Sequence, residues 1–508
     1  MMQPSAKPEP SEVKTSQQLA KERFEHSPSE VLHKVASRDD DCVALVDFDE
    51  TLWLRNSTET FLASIQPSFI VAMLLQLLNV LKPWKWYGGS NSEYYREVMR
   101  LKVVLAVLPW ARKNWQEQAP KIAKKHLNLP LYDALLAKGP EKIHVVSYGF
   151  DFIVEPLLAA IDSRLKLSMI STLDTAVALR RKGKAQATID VVGELAMRNS
   201  ICITDSMLDH DLLAKSTQGL LCEWPDAEFV QAGLSPMLPL LFTKKVNRPR
   251  EKYISRVILG HDYVLMLLAF AVGSSAPIKA AVSLLLFIIA FFAIYETGYF
   301  ENDTLGLKLE EKPRVAPEFI QYGDNFKPWF AWLCGLFIAI PAAGLASMDV
   351  SWLPAAIGVN GTMAWVAVWC AFALFMLAVR GVFYWFNRTP TQGRLIPMLL
   401  LQLARNCGLM LLFSTSLVGA LCCLAWALGK WFPYIIYRFN GSAMGYPNHL
   451  VSGLLLLSML AVVAGANNDL SIIWQSPEGL IILGYMLIRS AKDLWNFRAQ
   501  LKPLVAVR

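Results

Sequence analysis

The segment Cys42-Val-Ala-Leu-Val-Asp47-Phe-Asp49-Glu-Thr51-Leu52 carries a short apolar run into two carboxylates spaced two residues apart, followed by a hydroxyl. Alternation along an extended chain turns Asp47 and Asp49 to the same side. One carboxylate can then attack a phosphoryl group while the other handles the proton of the leaving group. An acidic strand end before a turn is the plain alternative. A second apolar run, Ile143-His-Val-Val146, ends in Ser147-Tyr-Gly149-Phe150. There a small hydroxyl and adjoining backbone amides can hold phosphoryl oxygens, and Gly149 allows close approach. Farther on come Arg181-Lys-Gly-Lys184-Ala, which alone reads as a solvated turn, and the run Ser200-Ile-Cys-Ile-Thr204 leading into Asp205-Ser-Met-Leu-Asp209.

In this order and spacing the four elements resemble the haloacid-dehalogenase-type (HAD) phosphatases of the phosphoserine-phosphatase-like branch, over roughly residues 41–225. The resemblance implies a nucleophile at Asp47 and a general acid and base at Asp49. It implies phosphate contacts from Thr51, Ser147, Gly149 and Lys184. It also implies Mg2+ among Asp47, Asp49, Asp205 and Asp209, with Asp47, Asp205 and Asp209 nearest the ion. Thr204 stands where the family often has glycine. The expected fold is a doubly wound α/β (Rossmann-like) domain with site residues at strand C-terminal ends. A P-type transport ATPase also uses such an aspartate, but within DKTGT and with a large insertion between membrane helices, whereas here DFDETL precedes every apolar span.

Residues 53–140, between the first two elements, read as a helical cap. Within them 68–81 is almost continuously apolar, too short to span a bilayer, and is followed by Lys82-Pro-Trp84-Lys-Trp86-Tyr87, a mixture favoured at a membrane interface. A cap touching lipid implies a lipid-linked phosphate as substrate; a buried cap helix is the competing reading.

At 508 residues and 54% hydrophobic content, the chain is too apolar for a soluble protein of its size, with a mean hydropathy of +0.34. Residues 1–40 read as a disordered cytosolic tail, 226–256 as a basic linker, and 257–508 as an all-α polytopic membrane domain. About eight spans are expected, near 257–273, 279–299, 328–346, 361–386, 395–413, 416–436, 449–464 and 478–489. Lys244 to Arg256, Lys308 to Arg314, Arg380 to Arg394, Arg438, and Arg489 to Arg508 then fall on one side, and only Lys279 on the other. That charge bias places both termini and the phosphatase-like domain in the cytoplasm. The net charge of +7 follows this pattern rather than one soluble face, which argues against a nucleic-acid partner. The eight cysteines form no CxxC pair and read as reduced packing residues.

After the second span, Tyr295-Glu296-Thr-Gly-Tyr299-Phe-Glu301-Asn302-Asp303 leads on to Lys312-Pro313, an acidic loop facing basic residues as a magnesium-bridged phosphate site would require. Here the chain resembles the UbiA superfamily of intramembrane prenyltransferases, whose first acidic motif also follows the second span. At least one of the usual metal ligands is missing in either register. After the sixth span, where that family places a second acidic motif, Tyr437-Arg438-Phe-Asn440-Gly441-Ser-Ala-Met-Gly445-Tyr-Pro447 has no carboxylate. Its glycine and proline cadence is similar to the polyprenyl-phosphate phosphoribosyltransferase branch. The resemblance makes Glu296, Glu301, Asn302, Asp303, Lys312 and Arg438 candidates for a membrane-domain site. Arg405, inside an apolar span, is either a phosphate ligand or a structural arginine. Together the halves point to a bifunctional enzyme: a phosphomonoesterase coupled to transfer on a polyprenyl lipid. The alternative is a membrane-anchored phosphatase with an inactive membrane half.

Overall fold

A computed structural model of the chain describes residues 21–87, 89–310, 313, 315–439, 441, 445–473 and 476–498. The chain forms two compact units, Met1–Pro236 and Met237–Arg508.

In the first unit five strands, β1 (Val43–Val46), β2 (Ile143–Phe150), β3 (Lys166–Ser171), β4 (Ser200–Thr204) and β5 (Gln218–Leu221), form one parallel sheet in the order β3-β2-β1-β4-β5. β1 is central, with Val46 in register with Val145 of β2 and Ile203 of β4. Parallel strands covered on both faces need apolar residues at every position, and alternation sends successive side chains to opposite faces. Ala44 and Val46 accordingly join a core with Val145, Ile203 and Leu157, while Leu45 joins a second core with Val146, Cys202 and Leu213. Helices thus cover both faces, as expected of an α/β domain.

Part of the expected tail 1–40 is folded. Ser27 caps the helix Pro28–Ala36 in a reciprocal capping box with Glu30, and Val31 and Val35 are fully buried against the sheet. Residues 1–20 lie outside the described residues. The region read as cap folds largely as helices, among them Ser57–Ser64, Ser68–Leu81, Tyr94–Val107, Ala111–Ala123 and Leu129–Leu136. The apolar helix Ser68–Leu81 has two faces. Val71, Ala72 and Leu75 are buried, whereas Val80 and Leu81 are exposed, as are Trp86 and Tyr87 just beyond.

The stretch 226–256 is no free linker. Glu59, buried and bonded in bidentate fashion to Arg100 at 2.5 and 2.9 Å, also accepts the backbone N–H of Ala232 at 2.7 Å. Gln76 donates to the carbonyls of Gly233 and Pro236. Residues to Pro236 therefore belong to the first unit, while Phe242 and Val246 are buried in the second with Phe319 and Phe326.

In the second unit six helices are long and apolar enough to cross a membrane: Tyr253–Ala271, Pro277–Leu309, Pro328–Ser347, Gly361–Arg388, Leu417–Arg438 and Asn448–Asn467. This makes it a multi-pass membrane domain; two of the about eight expected spans are not among these six, which are selected by length and composition alone. The segment 395–413 contains a helix, Leu395–Cys407, of only 13 residues. The 3-10 turn Gly408–Leu411 continues it, and Phe413 beyond that turn pairs with Ser351 in the segment that follows helix Pro328–Ser347. Pro477–Phe497 is long enough, but Glu478, Arg489, Lys492 and Asp493 make it too polar to qualify. The acidic segment after the second span is not a loop either. Glu296, Glu301, Asn302 and Asp303 lie on the continuous 33-residue helix Pro277–Leu309, which at about 1.5 Å per residue is long enough to project beyond the hydrocarbon. Helix Gly361–Arg388 likewise runs past the expected end at 386 and carries Arg380 and Arg388 on its last turns. The two helices meet where Gly298 leaves room for the Phe383 ring, which any Cβ there would strike. All eight cysteines are free.

Candidate functional site

Three adjacent strands of the first unit deliver side chains to one cavity of about 220 Å³, lined among others by Asp47, Asp49, Ser147, Gly149, Lys184, Asp205 and Asp209. Asp47 follows the last residue of β1 and is fixed by its backbone N–H to Ile203 of β4 at 2.9 Å. Its neighbour Glu50 turns the chain with a positive φ of 58°. Asp49 accepts the N–H of Ser57 at 2.6 Å, at the start of the next helix. Ser147 and Gly149 belong to β2, and the Gly149 N–H donates to the Ser147 hydroxyl at 2.9 Å. Lys184 opens a helix immediately after Gly183, whose φ of 88° favours glycine. Buried to 2% exposure, Lys184 bridges Asp47 at 2.9 Å and Asp209 at 2.6 Å.

Two threonines hold the acids of the site in place. Thr51 is fully buried and does not line the cavity; its hydroxyl donates to Asp205 at 3.1 Å and accepts the Asp205 N–H at 3.0 Å, so it positions an acid rather than a phosphate. Thr204, noticed in the sequence only as a departure from glycine, donates to Asp209 at 2.8 Å and lies 3.4 Å from Asp47. With its Oδ2 engaged by both Lys184 and Thr204, Asp209 acts first as the counter-ion of Lys184.

The site is electrostatically loaded. Burial pushes Asp47 up to about 8, with Lys184 pulling against it and Asp209 and Asp205 adding to the rise. Burial also pushes Asp49 up to about 7 against the stabilising Ser57 N–H, and Asp205 up to about 6, with the charge of Glu50 contributing. Burial disfavours the Lys184 ammonium, but Asp209 and Asp47 more than reverse this and hold its pKa above the ordinary lysine value. Among the described residues no group of three His, Cys, Asp or Glu side chains is already drawn together around an ion position. The donor chemistry nevertheless suits a hard divalent cation: Asp47 and Asp205 are largely enclosed carboxylates held above the ordinary carboxylate range, and a cation beside them would restore their ionised forms.

In the second unit a cavity of about 500 Å³ is lined by Arg248, Arg394, Arg405 and Arg438 together with Tyr295, Tyr299, Asn302, Asp303 and Glu310. Four guanidinium groups face two carboxylates. Arg394 reaches Glu310 at 3.1 Å, Arg438 donates to the Tyr434 hydroxyl at 2.7 Å, and Asp303 accepts from Asn247 and Asn302. Asn302, Asp303, Arg405 and Arg438 thus meet as the sequence led us to expect. Glu296 and Glu301 do not line the cavity. Glu296 is fully buried and accepts the Leu240 N–H at 2.7 Å; Glu301 is bound by Arg380 at 2.5 Å, Arg388 at 2.6 Å and Asn387 at 3.0 Å. Lys312 lies outside the described residues. Arg405 is ion-paired at 2.5 Å with Asp262, a 2%-exposed carboxylate that also holds Lys430 at 2.7 Å. Neither Asp262 nor Lys430 was singled out from the sequence, although an acid inside an apolar span was a sufficient signal. Compared with protein-family models, with curated proteins and with solved structures, the chain matches none.

Proposed function

We propose that the first unit is a Mg2+-dependent phosphomonoesterase of the HAD type, acting through an aspartyl-phosphate. The observation that carries this reading is the convergence of Asp47, Asp49, Ser147, Lys184 and Asp205 on one cavity. A carboxylate oxygen of Asp47 attacks phosphorus and the ester P–O bond breaks. The departing oxygen takes the proton of Asp49, whose pKa of about 7 suits that task. Asp49 then removes a proton from water, which attacks the acyl-phosphate, releasing phosphate and regenerating Asp47. The Ser147 hydroxyl and Lys184 hold the phosphoryl oxygens, and Lys184 offsets their charge. Asp47 and Asp205 would hold Mg2+, which supplies positive charge against the phosphoryl oxygens and keeps Asp47 ionised. Purified full-length protein should release phosphate from p-nitrophenyl phosphate with Mg2+, and Asp47→Asn should not; equal turnover by both would reject the reading.

We infer further that the second unit is of the UbiA type and binds the phosphate end of a polyprenyl lipid in its arginine-walled cavity for group transfer. The excess of guanidinium over carboxylate there supports an anionic ligand. A phosphoribosyl-type transfer leaves a 5-phosphate, and the small, polar first cavity suits a compact sugar phosphate. Both termini and the first unit lie in the cytoplasm on this reading, supported by the charge bias of the connecting segments. The competing reading, a phosphatase anchored by an inactive helical unit, is favoured by the withdrawal of Glu296 and Glu301 from the cavity. Mass spectrometry of lipids after incubation with polyprenyl phosphate and phosphoribosyl diphosphate separates the two, because only a transferase gives a new lipid product.

A further inference from the structure

A second polar cavity in the helical unit, of about 200 Å³, shares none of the residues that line the arginine-walled one. Its walls include His261, Trp426, Lys430, Asn448, His449 and Asp493. Arg489 approaches the Nε2 atoms of both His261, at 3.2 Å, and His449. A guanidinium only donates, so both Nε2 atoms accept, and both rings are neutral with the proton on Nδ1. The positive charge of the region therefore rests on Lys430 and Arg489, with Arg256 at the cavity wall.

Two carboxylates oppose these three cations, Asp493 at the cavity wall and Asp262 beside Lys430, and Asp262 is divided between two cations. Asp493 accepts the backbone N–H groups of His449 at 2.8 Å and Leu450 at 3.3 Å through one oxygen. Asp262, which pairs with Lys430, is shared with Arg405. Two orphaned polar atoms also belong to lining residues. Trp426 is 1% exposed, and among the described residues its indole N–H finds no acceptor. The side-chain oxygen of Asn448 finds no donor among the described residues. A buried donor left unsatisfied costs about 1–3 kcal/mol, so the wall is incomplete without an acceptor-rich occupant.

We propose that this cavity binds an oxyanion of the phosphate class, accepting from Trp426 and Lys430, with a phosphate O–H donating to Asn448. Water alone would satisfy the orphaned atoms but not the excess of positive charge. The assignment stands on these residues and not on the transferase reading.

The test follows acylation of His449 by diethyl pyrocarbonate, quantified by peptide mass spectrometry, on the full chain in phosphatidylcholine nanodiscs, with exposed His33 as internal reference. Millimolar orthophosphate should slow modification of His449 at least about threefold and leave His33 unchanged. Trp426→Phe and Lys430→Met should each raise the orthophosphate concentration that half-protects His449 about tenfold, the equivalent of one lost hydrogen bond to a charged group. Protection by orthophosphate in phosphatidylcholine assigns the ligand to free phosphate. Protection without it, on adding phosphatidylglycerol to the nanodisc, assigns it to a lipid headgroup. Unchanged His449 rates in the wild-type protein under both conditions would overturn the proposal, as would protection that survives both substitutions.

Discussion

Lys184→Met tests the electrostatic design of the phosphatase-like site. The substitution keeps the length of the side chain and removes its charge from between Asp47 at 2.9 Å and Asp209 at 2.6 Å, all three being largely buried. Removing one partner of a buried ion pair costs about 3–5 kcal/mol because the other charge is left uncompensated. With a urea dependence of about 1–3 kcal/mol per molar, the unfolding midpoint of the first unit should fall by roughly 1.5 M. Pulse proteolysis of residues 21–236 within the full chain, in rising urea, reads this midpoint. Phosphatase turnover should fall about 10²–10³-fold, as when one group stabilising transition-state charge is lost. The double variant Lys184→Met with Asp209→Asn should regain more than half of the lost stability, because no orphaned carboxylate remains at position 209, yet regain no activity. A single variant as stable as wild type, or a double variant no more stable than the single, would refute this electrostatic reasoning.

Asp49 titrating at about 7 as general acid makes turnover fall about tenfold per pH unit above neutrality, and Asp49→Asn should flatten that limb of the kcat profile while lowering its plateau. Asp47 is raised to about 8 in the fold against an unfolded value near 3.8, so the folded state holds the extra proton and stability declines as pH rises across that window. In chelator, Asp47→Asn should therefore flatten that decline, measured by the same proteolysis across pH, while inactive. Glu301→Gln should leave any lipid transfer within about threefold, because Glu301 is spent on Arg380 and Arg388 outside the cavity, whereas Asp303→Asn should cost ten times more than that; product mass spectrometry compares them.

The phosphatase-like site was legible because its residues sit at strand ends and next to glycine, where local pattern dictates placement. Asp47, Ser147 and Asp205 needed only parallel strands in adjacent positions to meet. The parts of Thr51 and Thr204 are less legible, because a hydroxyl binds a carboxylate as readily as a phosphate and only packing decides which. The helical unit was less legible. Apolar runs reveal that a helix exists but not where it ends, so the acids at 296–303 were read as a loop although helix Pro277–Leu309 continues through them. Nor does a sequence say which face of that helix looks inward: Asp303 joins the cavity, while Glu301, two residues earlier, points to two arginines elsewhere. Asp262 is visible as an acid inside an apolar span, but its pairing is not, since its partners Arg405 and Lys430 lie 143 and 168 residues away.

The most direct measurement is rapid acid quench of full-length protein turning over a ³²P-labelled phosphomonoester with Mg2+, followed by peptide mapping of the label. The expected result is a hydroxylamine-labile phosphate on the peptide containing Asp47, absent from Asp47→Asn. Turnover with no label on that peptide, or with label on another residue, would contradict the assignment of Asp47 as nucleophile.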